Sequence, residues 1–251
     1  KEVVLNSFLS IPNTFTAEIM SEQGYDALTI DYQHGMIGFS DLFTMLQSIR
    51  NSGVTPICRV SGLDHAVISK VMDAGALGII CPMINNRKQA EQLVKDCKYP
   101  PTGIRSFGPT RANFSVISNY FYESNEGTFC LAMIETQEAF DNLNEIASTP
   151  GLDGLYIGTA DLTIGLNQGK LTPGFDRTEP VMIEAKKNIL EIAHKPGKVA
   201  CLHCGTPEYA AKATEWGFDF VTITNDVRLL SGAAATHVKK FKELTNQTHE
   251  D

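Results

Sequence analysis

Glu135 and Asp161 are the two residues of this chain whose type and spacing most directly suggest chemistry. Each follows a short apolar run, Phe129 to Ile134 and Gly154 to Ile157, which reads as a buried strand. Both acids therefore stand where a strand gives way to its loop. Neighbouring parallel strands lie about 4.8 Å apart. Two carboxylates held that close repel each other unless positive charge sits between them, and a divalent cation with oxygen ligands answers that need. The competing reading is local: Glu135 as a first-turn acid of a helix and Asp161 as a helix cap.

The elements that must position these acids follow from apolar runs bounded by turn residues. Strands are expected at Val3 to Leu9, Ala27 to Asp31, Pro56 to Val60, Gly78 to Met83, Phe129 to Ile134, Gly154 to Ile157, Val199 to Leu202 and Phe220 to Thr224. Segments with helical spacing lie between them: Ser40 to Ser52, Asp64 to Gly75, Arg87 to Cys97, Gln137 to Ser148, Pro180 to His194 and Pro207 to Trp216. Gly24, Gly53, Gly75 and Gly217 each precede a strand, as left-handed helix stops do. Gly24-Tyr25-Asp26 and Gly217-Phe218-Asp219 read as one αβ turn built twice. Eight βα repeats in 251 residues predict a (β/α)8 TIM barrel, a single domain over 1–251 with flexible ends at 1–4 and 245–251. A doubly wound open sheet is the alternative. Two longer insertions, Tyr99 to Gly127 and Gly165 to Glu179, interrupt the alternation, and Gly165 to Thr178 is expected to be a mobile active-site flap.

A formal net charge of -8 argues against a nucleic-acid or anionic-membrane partner, since both need a basic surface. No apolar run is long enough to span a membrane and no export leader is visible, so a cytoplasmic location is expected. The six cysteines fall mostly inside apolar strands and read as small buried hydrophobes. Cys201-Leu202-His203-Cys204 matches Cys-x-x-Cys, which leaves a redox or zinc role as a minor alternative.

In such a barrel, chemistry belongs at the C-terminal ends of the strands. The polar residues there are Asp31 and His34 after the second strand, Arg59 on the third, Glu135 on the fifth and Asp161 after the sixth. That set combines a base, a cation and three acids on one rim. No lysine stands at a strand tip to form an imine, which favours metal over Schiff-base chemistry.

Asp31-Tyr32-Gln33-His34, Arg59, Val71-Met72-Asp73-Ala74-Gly75, Tyr99-Pro100-Pro101, Gly103-Ile104-Arg105, Ile134-Glu135-Thr136 and Gly158-Thr159-Ala160-Asp161 occur in the order found in one enzyme family. From about residue 5 to 230 the chain resembles the HpcH/HpaI family of class II pyruvate aldolases. The resemblance implies a lyase that reversibly cleaves 4-hydroxy-2-oxo acids to pyruvate and an aldehyde through a metal-stabilised enolate. It implies one divalent ion per subunit (Mg²⁺, Mn²⁺ or Co²⁺) on Glu135 and Asp161. Arg59 would stabilise the oxyanion, His34 would be the base, and Asp73 would pair with that histidine from an adjacent subunit. Gly158, Thr159 and Ala160 would contact the substrate, with Asp31, Gln33 and Met133 behind the ligands. An exchanged last helix and a homohexamer built as a trimer of dimers are also implied. The chain departs from the family with Gln33 for Glu, Met133 for Gln and Thr159 for Pro. Alternatives on the same scaffold are an oxaloacetate decarboxylase or an acyl-CoA lyase, for whose phosphates Arg105 and Arg111 are the rim candidates, and a barrel that binds 2-oxo acids without turnover.

Overall fold

In a computed structural model describing residues 2–114 and 117–246, each strand hydrogen-bonds to the next and the last returns to the first. The result is a closed, wholly parallel eight-stranded barrel. The strands are β1 Val4–Leu9, β2 Ala27–Asp31, β3 Thr55–Arg59, β4 Gly78–Cys81, β5 Phe129–Ile134, β6 Gly154–Ile157, β7 Val199–Cys204 and β8 Phe220–Asn225. The helices are α1 Thr14–Ser21, α2 Phe39–Ser48, α3 His65–Asp73, α4 Arg87–Cys97, α5 Tyr120–Gly127, α6 Gln137–Asp141, α7 Leu143–Ala147, α8 Thr159–Asn167, α9 Pro180–His194, α10 Pro207–Trp216 and α11 Asp226–Leu244. All eight expected strands are present, so the (β/α)8 reading holds and the open sheet does not.

Strand alternation divides the core in two. Phe8, Ile57, Ile80, Leu131, Met133, Tyr156 and Phe220 point into the barrel, while Leu9, Leu28, Ile30, Ile79, Ala132, Ile134 and Leu202 pack outward under the helices. Cys201 belongs to the inner set and Cys204 to the outer one. Their side chains thus leave opposite faces of β7, which rules out a shared disulfide or metal, and all six cysteines are free and buried.

The repeated αβ turn has a definite job. Gly24 and Gly217 take φ of +87° and +109°, the left-handed region that glycine occupies without steric cost. The aspartates that follow then reach sideways: Asp26 Oδ2 accepts from Leu5 N at 2.8 Å, and Asp219 Oδ2 from Ala200 N at 2.9 Å. Asp153 does the same for Cys130 N. These carboxylates satisfy N–H groups at the N-terminal rim that the parallel ladder leaves over.

Three expectations need correction, and one insertion gains structure of its own. The helix over 137–148 breaks at Asn142, whose side chain leaves the helical path to donate to Asn85 O. The insertion at 99–127 carries α5 and is tied down by the buried Lys98, whose Nζ donates to Asn125 O and Thr128 O. The segment expected to be a flap begins inside α8 and is anchored at its far end, as described below. Val4 opens β1 rather than lying in a flexible end; Lys1 and residues 247–251 of the expected flexible ends lie outside the described residues. No helix among the described residues is long and apolar enough to cross a membrane.

Candidate active site

At the C-terminal mouth of the barrel a cavity of about 440 Å³ is lined by Asp31, His34, Arg59, Met133, Gly158, Thr159, Ala160 and Asp161, together with Phe8, Phe175, His203 and Arg228. Eight of the residues singled out in the sequence thus line one cavity.

Glu135 lies immediately behind Gly158 in the cavity wall. Its carboxylate is buried, and Oε1 accepts the Met83 N–H at 2.7 Å. Met83 holds φ of +58°, a rarely populated region for a residue with a side chain, and this turns the amide at the end of β4 towards the acid. Oε2 faces Gly158, where an added Cβ would come within 2.6 Å of it and within 2.7 Å of Met133 Cε. Burial, with the Asp161 charge adding to it, raises the Glu135 carboxyl to about 7, against the opposing Met83 hydrogen bond and Arg59 charge. Asp161, in the first turn of α8, is exposed to the cavity. A buried and an open carboxylate that repel each other offer hard oxygen donors suited to a divalent cation. Among the described residues no group of three or more His, Cys, Asp or Glu could hold a metal.

Asp31 organises the opposite side. Its Cα is in register with Arg59 on β3, and the two form a bidentate pair, Nε to Oδ1 at 2.9 Å and Nη2 to Oδ2 at 2.7 Å. Oδ1 also accepts the backbone N–H of Gln33 and of His34. One buried carboxylate thus orients the guanidinium and shapes the turn that presents His34 to the cavity. Phe8 supports Arg59 from inside the barrel, its ring centroid 4.9 Å from the guanidinium carbon. Gln33 Oε1 is buried without a hydrogen-bond partner.

Asp73 is not brought to this cavity. At the end of α3 it accepts from Arg105 Nη2 at 2.6 Å, and Arg105 in turn lies between Tyr99 and Tyr120. Within one chain, Asp73 is part of the outer surface.

Among the cavity residues that escape the sequence reading are Phe175, His203 and Arg228. His203 is hidden inside the Cys-x-x-Cys pattern, although its position at the tip of β7 is a usable signal. Phe175 stacks on the His203 ring with centroids 4.5 Å apart. It is fixed by its neighbours: Asp176 accepts from Gly205 N and Thr206 Oγ1, each at 2.7 Å. The fully buried Lys186 donates to Phe175 O, Arg177 O and Tyr209 Oη, and burial lowers its ammonium to about 8. This end of the expected flap is thereby a built wall of the site.

Comparison with known proteins places the chain in a family and agrees with the fold. A family profile described as HpcH/HpaI aldolase/citrate lyase matches residues 5–233. The chain is 40% identical over 230 residues to a hydroxypyruvate/pyruvate aldolase of Rhizorhabdus wittichii, covering 92% of this chain and 90% of that protein. It is 29% identical over 245 residues to a 5-keto-4-deoxy-D-glucarate aldolase of Escherichia coli, covering 97% and 94%. The crystal structure of an HpcH/HpaI aldolase from Desulfitobacterium hafniense superposes with a TM-score of 0.87 at 25% identity, over 96% of this chain and 93% of that one.

Proposed function

The chain belongs to the HpcH/HpaI aldolase/citrate lyase family, and from that premise we propose that it is a divalent-metal-dependent aldolase cleaving 4-hydroxy-2-oxo acids reversibly to pyruvate and an aldehyde. The observation that carries this reading is the pairing of Glu135 and Asp161 across one cavity from the Asp31–Arg59 pair and His34. Glu135 and Asp161 would hold the ion (Mg²⁺, Mn²⁺ or Co²⁺), which when bound supplies a Lewis acid for the 2-oxo acid.

The side chains account for the rest of the reaction. His34 takes the proton of the C4 hydroxyl, the C3–C4 bond breaks, and its electron pair passes to the 2-oxo oxygen as an enolate. Arg59, already oriented by Asp31 through Nε and Nη2, sets its remaining positive edge towards that oxygen without reorganising. Protonation at C3 then gives pyruvate, and the steps run backwards for synthesis. Asp73 would orient His34 from a neighbouring subunit in a homo-oligomer, with a hexamer of three dimers as the expected assembly. Supporting this, α11 buries only Asp226 and leaves Leu230, Val238, Phe241 and Leu244 exposed, an apolar stripe suited to exchange with a partner. The acyl-CoA alternative loses its phosphate ligands, because Arg105 is buried against Asp73 and Arg111 donates to Ala74 O and Leu46 O.

Deuterium exchange into the pyruvate methyl group tests the proposal without an aldehyde. Exchange followed by NMR should require Mg²⁺, Mn²⁺ or Co²⁺ and stop with EDTA; exchange that persists in EDTA, or none with any of the three, would overturn it. Gly158→Ala provides a structural check. The added methyl must displace the Glu135 carboxylate, and metal affinity measured by calorimetry is expected to fall about 10- to 100-fold.

A further inference from the structure

The barrel is hollow at its other mouth as well, where the proposed chemistry has no part, and the strand sequences explain why. A filled barrel stacks layers of four bulky side chains. Ile80 and Tyr156 point inward, so Gly78 and Gly154, two residues earlier on β4 and β6, hold inward positions without a side chain. Ala27 adds only a methyl on β2. Phe129 turns its ring into the space over Gly78, where an added Cβ would stand 2.2 Å from it. The layer is left incomplete, and a cavity of about 480 Å³ opens at the N-terminal ends of the strands.

The floor of this cavity is apolar, built from the buried Ile57, Leu131, Cys201 and Phe220, and Val4 and Val199 stand half-exposed at its lip. The fully buried Cys201 thiol has no hydrogen-bond partner among the described residues. Asp26 and Asp153 are the charged groups that line it. They precede β2 and β6, four strands apart in a ring of eight, and so face each other across the mouth. Each is fixed through one oxygen, Oδ2 accepting from Leu5 N or Cys130 N at 2.8 Å, which leaves Oδ1 without a partner among the described residues. Helices α1 and α7, which lead into these two strands, bring their partially negative C-terminal ends to the same face and carry no basic residue in the last turn. The mouth is thus negative from two sources, and no lysine or arginine lines the cavity to offset them.

We propose that this cavity binds a small organic amine, whose apolar body takes the place of the missing layer while its ammonium group is held by Asp26 or Asp153. A concave apolar pocket with a few fixed polar groups is the ordinary form of a small-molecule site. The rim decides the charge of the ligand. A carboxylate or phosphate would meet two carboxylates and the helix C-termini, and an inorganic cation would meet apolar surface where it needs oxygen ligands. An uncharged apolar molecule would fill the floor and leave the rim unused. The site does not depend on the aldolase reading, because it shares no lining residue with the cavity at the C-terminal mouth.

Titration with 3-phenylpropylamine and with 3-phenylpropan-1-ol separates charge from shape, since the two differ little in size. In protein carrying ¹³C-labelled Ile, Leu and Val methyl groups, the amine should shift the NMR signals of Val4, Ile57, Leu131 and Val199 saturably. The alcohol should bind at least about tenfold more weakly. Asp26→Asn and Asp153→Asn each keep an oxygen for the rim N–H, so the turn is retained while the charge is lost. The variant that removes the ammonium's partner should lose about tenfold in amine affinity, and the double variant should bind amine and alcohol alike. Ala27→Leu fills the cavity from β2 and should abolish binding of both; Cys201→Leu does the same from β7 should the first variant fail to fold. No saturable shift at these four residues, as when a second copy of the chain covers the mouth, would overturn the proposal. So would an amine-to-alcohol ratio near one in the unaltered protein, a ratio unchanged in the double variant, or binding that survives the filled cavity. Because binding is read at assigned methyl groups, neither the presence nor the absence of aldolase activity imitates any of these results.

Discussion

Glu135→Gln is expected to abolish metal-dependent pyruvate exchange and at the same time to stabilise the metal-free protein at pH 8. The two effects share one cause. Glu135 is buried beside Asp161, and its carboxyl titrates at about 7 instead of near 4.5. Because the folded value lies above the unfolded one, the folded state binds the proton more tightly. Glu135 therefore adds no penalty below pH 4.5, and stability is lost progressively as pH rises through 7. Above that value the loss is on the order of 3 kcal/mol, since each tenfold difference in proton affinity between the folded and unfolded chain corresponds to about 1.4 kcal/mol. Glutamine keeps an oxygen for the Met83 N–H but carries no charge to desolvate. By differential scanning calorimetry with EDTA, the variant should melt several degrees above the parent at pH 8 and level with it at pH 4. The parent should recover stability when metal is added and the variant should not, because a bound cation stabilises only a state able to hold it. A variant that melts level with the parent at pH 8, or still takes up metal, would show that Glu135 is not the buried charged ligand.

Arg59→Ala is expected to have the largest destabilising effect of any change at the cavity. The substitution leaves Asp31 buried and charged, with only the two backbone N–H groups of Gln33 and His34 to satisfy it. Breaking a buried ion pair from one side costs about 3–5 kcal/mol, or roughly 10 °C in melting temperature for a domain of this size. Exchange activity should fall by about 10²- to 10³-fold through loss of the oxyanion donor. Asp31→Asn in the same chain separates the two contributions. With no stranded charge, the double variant should regain most of the stability lost in Arg59→Ala and none of the activity. Arg59→Lys should stay folded but slow, because one ammonium cannot span both carboxylate oxygens while also facing the cavity. Equal stability of the single and double variants would mean that Asp31 does not depend on Arg59 for its charge.

Some of this architecture is legible because it repeats. Each strand is a short apolar run, several αβ turns are marked by a glycine, and the strand tips carry residues of definite chemistry. Local steric and hydrophobic rules suffice for such signals, and they locate β1 to β8, Glu135, Asp161, Arg59 and His34. Helix α8 is less legible because its first residues resemble a cap and its last a loop. Nothing local shows that Phe175 to Arg177 is anchored by Lys186, Gly205, Thr206 and Tyr209, residues 9 to 32 positions along the chain.

What the sequence determined by itself is the barrel and the ring of acids, base and cation at its mouth, since strand alternation and a closed parallel order leave few other destinations for those side chains. What only the tertiary structure decided is which groups meet: that Asp31 holds Arg59 and turns His34 towards the cavity, that Gly158 leaves room for Glu135, that Cys201 and Cys204 point apart, and that His203 and Arg228 share Phe175. These depend on which strands become neighbours and on where buried charges and protons must be satisfied, and the closed barrel settles both at once.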